Sequence, residues 1–245
     1  MEEGAFVVEG AALVAAAHDH GWEVEALFLA AGTVPEALPL PSALTASDVS
    51  VFELGPGVME RVASTETAPA VVATVRTQTS ALDSLAAATF VLVGDRINDP
   101  GNAGTMLRSA EAAGADAVVL TEGSVDVFNP KVVRASAGAV FSVPVVVGVT
   151  LDDALQTLRV DGLRSFGTTS HAEHSNAGAY FAADLARPCS IVVGNEAHGL
   201  PADARVDAWI TIPHAGRAES LNVAMAATVI AFEVARQRGA AAGTL

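Results

Sequence analysis

Apolar and polar positions along the chain fall into two rhythms. Short runs of β-branched and aliphatic residues read as strands, namely VEALFLA (24–30), VSVFEL (49–54) and AVVATVRT (70–77) in the first third. Beyond residue 88 the same pattern returns in TFVLVGD, ADAVVLTE, VPVVVG, RSFGTTS, CSIVVGNE and WITIP. Between these runs, apolar residues recur at helical spacing. Residues 9–20 predict a helix closed by Gly21, and GVMERVAST (57–65) predicts a second. NAGTMLRSAEAAG (102–114), NPKVVRASAGAV (129–140), DDALQTLRVDG (152–162) and a long final helix complete the set. Continuous apolar strands alternating with helices predict an α/β fold whose sheet is mostly parallel and covered on both faces.

The rhythm lapses once, in the polar and then Ala-rich stretch over residues 77–89. That stretch predicts a linker between a small α/β unit (residues 1–76) and a larger one (residues 90–245). With 51% apolar residues the chain can bury a sizeable core, but aromatics are only 5%, so Ala and Val must do much of the packing. No apolar run approaches the ~20 residues of a membrane-spanning helix, and MEEGAFVVEG lacks the basic-then-apolar order of a secretory signal. Cys189 has no second cysteine to pair with, which fits a reducing compartment. The expectation is a soluble cytoplasmic protein.

Three stretches combine strand ends, glycines and polar side chains in a way that suggests chemistry. In residues 91–120, Pro100 and Gly101 turn the chain after a buried strand, and Asn102 suits the cap of the next helix. Helical side chains lean toward the N-terminus, so Arg108 leans over the small residues Gly104 and Thr105 toward that turn. It is either a cation at the rim of a cleft or an ordinary solvated arginine. In residues 190–200, a strand runs into Gly194, Asn195 and Glu196 and then Gly199, so glycines flank a carboxylate at a strand's carboxyl end. In residues 210–239, Ser220 reads as the helix cap, with Asn222 in the first turn. Leu221, Met225, Val229 and Phe232 follow on one apolar stripe.

These three stretches, in this order and at these separations, resemble the signature motifs of the SpoU–TrmH methyltransferases. The matching residues are Asn102 and Arg108, then Gly194, Glu196 and Gly199, then Pro213, Gly216, Ser220, Leu221 and Asn222. The resemblance covers residues 84–245. The first part, from FVVEG to STETAP, is similar to the substrate-binding domain of the ribosomal-RNA members, although Ala70 stands where a glycine is expected. The resemblance implies a trefoil knot near the C-terminus, a homodimer joined through the C-terminal domain, and S-adenosylmethionine as cofactor. It places the cofactor among Thr168, Gly194, Ile212 and Leu221, held mainly by backbone groups. It assigns 2′-O-methylation of an RNA ribose, with Arg108 as proton acceptor or oxyanion stabiliser and Asn102, Glu196, Ser220 and Asn222 as positioning groups. A guanidinium that stays protonated favours the stabilising role for Arg108.

The charge of −15 runs against RNA binding. Residues 1–80 hold eleven acidic side chains against Arg61 and Arg76, so that part carries −9 of the total. RNA contact is therefore expected from a local patch of Arg96, Arg108, Lys131, Arg134 and Arg217. Ribosomal RNA is the expected substrate; transfer RNA, or an RNA-binding protein of the same fold without transfer activity, are the alternatives. His171, Glu173 and His174 offer metal-ligand types, but no Cys or His cluster completes a tetrahedral set, and no metal is expected. A dinucleotide site is a poor reading, since GDRINDPGNAG lacks the required glycine spacing.

Overall fold

The computed structural model describes residues 4–46, 49–170, 176–217 and 220–242. The first part runs β1 (Ala5–Glu9), α1 (Ala11–Asp19), β2 (Val24–Leu29), α2 (Ser42–Ala46), β3 (Ser50–Glu53), α3 (Met59–Val62) and β4 (Val71–Arg76). Its sheet has the order β1-β4-β2-β3, with β4 antiparallel to β1 and β2, and β3 parallel to β2. The apolar rhythm merges the start of the chain with the first helix. The chain instead breaks at Gly10, whose φ of 92° ends a strand the pattern conceals.

The second part runs β5 (Phe90–Gly94), α4 (Pro100–Ala112), β6 (Ala117–Thr121), α5 (Pro130–Ala135), α6 (Ala139–Ser142) and β7 (Val145–Val149). It continues through α7 (Leu151–Val160), β8 (Arg164–Thr168), β9 (Gly178–Ala179), β10 (Cys189–Val193), β11 (Ala208–Thr211) and α8 (Val223–Ala242). Its seven strands are ordered β7-β6-β5-β10-β8-β11-β9 and are parallel throughout. The single helix expected over residues 129–140 is two short ones. Ala137 and Gly138 take φ values of 51° and 96°, which turns the chain between α5 and α6.

Alternation along the strands sends side chains to two cores. Phe90, Leu92 and Ile191 pack with α4 and α8, whereas Val91, Val93 and Val192 pack with α7. Among the described residues, no helix is long and apolar enough to cross a membrane.

The two sheets share one apolar core. Phe6 lies tilted against Phe128 at 4.6 Å between ring centroids, and Trp22 meets Phe141 edge-on at 5.4 Å. Trp22 Nε1 donates to the carbonyl of Phe141 at 2.9 Å, and Arg134 Nη1 lies 3.1 Å from the buried Glu9 carboxylate. The intervening residues are packed as well, for Ser80 N donates to Val145 O at 2.8 Å and Leu85 is buried. Phe6→Ala should therefore cost about 3–5 kcal/mol, as for other buried aromatic truncations. Urea unfolding should read this as one shifted transition for the whole chain, and an unchanged midpoint would contradict the shared core.

Candidate active site

The large sheet grows outward from β5 through β6 and β7, and its other side is built from β10, β8 and β11. Ligands of parallel sheets collect where the strand order reverses, outside the carboxyl ends. Here the turn after β5 meets the turn after β10. Pro100 takes the first position of α4, and the cap is Asp99, whose Oδ1 accepts from Asn102 N at 2.8 Å. The expected cap, Asn102, lies inside the first turn. Its side chain is thereby free for other partners.

Asn102 Nδ2 donates to Glu196 Oε1 at 3.0 Å, and Asn102 Oδ1 accepts from Asn222 Nδ2 at 2.9 Å. Glu196 also accepts from the amides of Asn98 at 3.3 Å and Asp99 at 3.2 Å. Asn222 Oδ1 in turn receives the amides of Ala224 and Met225 at 3.0 and 3.2 Å, which makes Asn222 the cap of α8 in place of Ser220. Three segments far apart in the chain thus meet through three polar side chains.

Burial alone would raise the Glu196 carboxyl, but the Asn102 side chain and the amides of Asp99 and Asn98 outweigh it and hold it below the usual carboxylate range. A carboxylate so lowered lends its stabilisation above its unfolded value and loses it only as the pH falls through the lowered one. The junction therefore stays charged and intact at neutral pH.

Beside the junction lies a cavity of about 670 Å³, bounded by the carboxyl ends of β8, β10 and β11 and the start of α8. Thr168, Gly194, Ile212 and Leu221 all line it, as do Glu196, Ser220 and Asn222. Asn102 joins it only through its bonds. Arg108 is exposed on α4 and does not line the cavity, and no bond links it to the turn at Asn102. The pairs Asn102–Asn222 and Ser109–Thr228, the latter at 2.7 Å between hydroxyl oxygens, set α4 and α8 side by side. Arg108 is thus carried by a helix that packs on α8, with its own side chain exposed and outside the cavity.

Gly194 is a point of close approach. A Cβ there would fall 2.2 Å from Gly199 C and from Leu200 N, because the turn after β10 folds back over the strand end. Asn195 holds that turn. Its Oδ1 accepts from Ala197 N at 2.9 Å, and its Nδ2 donates to Arg96 O at 2.8 Å.

Asn195, His198, Trp209 and His214 also line the cavity and were not among the expected site residues. Asn195 carried a signal, being an amide at the end of an apolar strand between two expected residues. The others had none in their spacing. Two members of the expected basic patch are engaged elsewhere, for Arg134 pairs with Glu9 across the two sheets and Arg96 Nε lies 3.0 Å from Asp95. His171, Glu173 and His174 lie outside the described residues.

The profile of the SpoU rRNA methylase family matches residues 89–232, and that of the MRM3-like substrate binding domain matches residues 1–73. The chain is 34% identical over 244 residues to the 23S rRNA (uridine(2479)-2′-O)-methyltransferase of Streptomyces viridochromogenes, covering 96% of this chain and 84% of that protein. It is 38% identical over 154 residues to the 23S rRNA (guanosine(2553)-2′-O)-methyltransferase of Bacillus subtilis. That match spans 62% of this chain and 60% of the Bacillus protein. The crystal structure of an AdoMet-bound rRNA methyltransferase from Sinorhizobium meliloti superposes with a TM-score of 0.84 at 30% identity, over 96% of this chain and 88% of that one.

Proposed function

Since the chain belongs to the SpoU rRNA methylase family, we propose that it transfers the methyl group of S-adenosylmethionine to a ribose 2′-hydroxyl of ribosomal RNA. The observation that carries this reading is the Asn102–Glu196–Asn222 junction on the edge of a cavity pinched at Gly194. The cavity suits the cofactor. Leu200, Trp209, Ala226 and Ile230 give it apolar walls for a flat ring, and the strand ends at Thr168 and Gly194 offer backbone polar groups. Thr168, Gly194, Ile212 and Leu221 would hold the cofactor there, and it supplies an electrophilic methyl group.

The chain's own part is orientation and charge placement. Glu196 fixes the Asn102 amide, Asn102 fixes that of Asn222, and the two amides border the space left for the ribose. A 2′-hydroxyl substrate means RNA. The work would be done in the cytoplasm, alongside ribosomes.

A homodimer belongs to the same proposal. Met225, Val229 and Phe232 are 61%, 37% and 48% exposed on the outer face of α8, and Leu221 just before the helix is 39% exposed, while Ala224, Ala227, Ile230 and Val234 fill the inner face. A second copy packed on the outer face would cover that stripe and could also meet the exposed Arg108 of α4. Arg108 then stands at the joint, where it can reach a ribose bound to the other copy's cavity. The trefoil knot implied by the resemblance completes the proposal. Met225→Glu should weaken association by about 3–5 kcal/mol, the scale of a buried unpaired charge, and shift sedimentation toward the monomer. An unaltered dimer would place the interface elsewhere.

Calorimetry of the full chain with S-adenosylmethionine tests the cofactor assignment. One site per protomer is expected, and no heat of binding from the folded protein would overturn the assignment.

A further inference from the structure

A second cavity, of about 650 Å³, opens on the same edge of the large sheet, at the carboxyl ends of β6 and β7. Thr77 and Thr79, from the segment that joins the two sheets, border it. Leu120, Val125, Phe128 and Val147 give it apolar walls. Among the described residues its lining holds no Lys, Arg or His, but it does hold the carboxylates of Glu122 and Asp126. Asp126 Oδ1 accepts from Phe128 N at 3.0 Å, so that side chain is occupied in its own turn. Glu122 and Thr79 are exposed, and among the described residues no hydrogen bond or ion pair engages the Glu122 carboxylate or the Thr79 hydroxyl.

One short loop separates this cavity from the Asn102–Glu196–Asn222 junction. After β5, Arg96 N donates to Thr121 Oγ1 at 3.0 Å and Ile97 N to Ser124 Oγ at 3.1 Å. Ile97 O accepts from Val125 N at 2.8 Å. The next two amides, of Asn98 and Asp99, donate to Glu196. Cavity wall and junction are thus bonded to consecutive residues, whose Cα atoms are ~3.8 Å apart. Arg96 marks the rim between them, since a Cβ on Gly123 would lie 3.4 Å from Arg96 Cγ. Its side chain is 47% exposed and only Nε is paired, with Asp95, which leaves the terminal nitrogens for a phosphate.

A cavity rich in acceptors and without a cation repels phosphate and favours a neutral group that donates hydrogen bonds. An unstacked nucleobase has that chemistry, with two apolar faces and a polar edge. Guanine alone among the four common bases sets two N–H donors side by side, at N1 and the 2-amino group, where one carboxylate can accept both. We propose that the second cavity binds an unstacked guanine next to the methylated nucleotide of the RNA, with Glu122 accepting from N1–H and the 2-amino group. The role rests on the methyl-transfer reading above. The Thr79 hydroxyl supplies a donor for the neighbouring O6, and the phosphate between the two nucleotides meets Arg96 at the rim. The base so held places the adjoining ribose at the junction.

The test uses the full chain saturated with S-adenosylmethionine, which fills the first cavity. Guanosine at millimolar concentration should shift the nuclear magnetic resonances of the Gly123 and Gly148 amides, both in the lining. Inosine, which lacks the 2-amino group, should bind at least ~5-fold more weakly, and Glu122→Gln should erase that preference. With large-subunit ribosomal RNA from cells lacking the protein, Glu122→Gln should raise KM by ~5–100-fold and leave kcat within about twofold, the scale of one bidentate base contact. Glu111→Gln, at an exposed carboxylate of α4 outside both cavities, is the control and should change neither. Guanosine triphosphate should bind no more tightly than guanosine. Tighter binding, with methylation indifferent to Glu122→Gln, would assign the cavity to a free nucleotide and overturn the RNA role. The proposal is also overturned if Gly123 and Gly148 do not shift or if inosine matches guanosine. A parent protein that methylates no RNA sinks the methyl-transfer reading and the RNA role with it, whereas a parental KM in Glu122→Gln sinks this role alone.

Discussion

Gly194→Ala is expected to abolish binding of S-adenosylmethionine. The added methyl would sit 2.2 Å from two backbone atoms, Gly199 C and Leu200 N, and 2.6 Å from Gly199 O. No rotamer change relieves a clash with backbone, so the turn must open. That turn is pinned by Gly199 N donating to Asn195 O at 2.8 Å and by the bonds Asn195 makes to Ala197 and Arg96. Opening it displaces the wall carrying Glu196 and Leu200 and removes the strand-end surface at the cavity floor. A rise in Kd of at least ~100-fold is expected, the scale of about 2.7 kcal/mol. Gly55→Ala is the control, because a Cβ there makes an ordinary 3.8 Å contact with Val58 Cγ2, outside the cavity lining, and should leave affinity unchanged. Near-parental affinity in folded Gly194→Ala would show that the cofactor lies elsewhere.

Arg108→Ala should cut methyl transfer by ~10³-fold, the cost of losing one group that stabilises developing negative charge, and spare cofactor affinity. The side chain is exposed on α4 and lines no part of the cavity, so neither folding nor cofactor binding depends on it. Arg108→Lys should recover little, since an ammonium cannot reproduce the planar fork of the guanidinium. Single-turnover assays at saturating cofactor measure the loss. Turnover within tenfold of the parent would remove Arg108 from the chemistry.

The strands of both sheets are legible as apolar runs, because a strand buried on both faces needs little else. Boundaries were harder. Asn102 and Ser220 are both good capping types, yet Asp99 before Pro100 and Asn222 take the caps. Proline at the first helical position was the cue for Asp99, whereas nothing local distinguishes Ser220 from Asn222. The break between α5 and α6 at Ala137 was concealed, since a non-glycine residue at positive φ leaves no mark in the sequence. The meeting of Asn102, Glu196 and Asn222 spans up to 120 residues and follows from no periodicity. Motif resemblance alone brought those residues together beforehand. The bonds among them supply the physical reason they belong together.

The join between the two sheets escaped the pattern for a related reason. Phe6, Trp22, Phe128 and Phe141 are scattered over the chain, and each reads as an ordinary core residue until the partners are in place. Arg134, expected to meet RNA, instead neutralises the buried Glu9 at that join. The cations left for phosphate are therefore few. RNA affinity should accordingly depend only weakly on salt, since the slope scales with the phosphates neutralised.

The central claim is settled by the position of the transferred methyl group. The purified chain would be incubated with methyl-labelled S-adenosylmethionine and large-subunit ribosomal RNA from cells lacking the protein, and the RNA digested to nucleosides for mass spectrometry. The account predicts label in a single 2′-O-methylnucleoside. Label on a base, or unlabelled RNA despite bound cofactor, would contradict it.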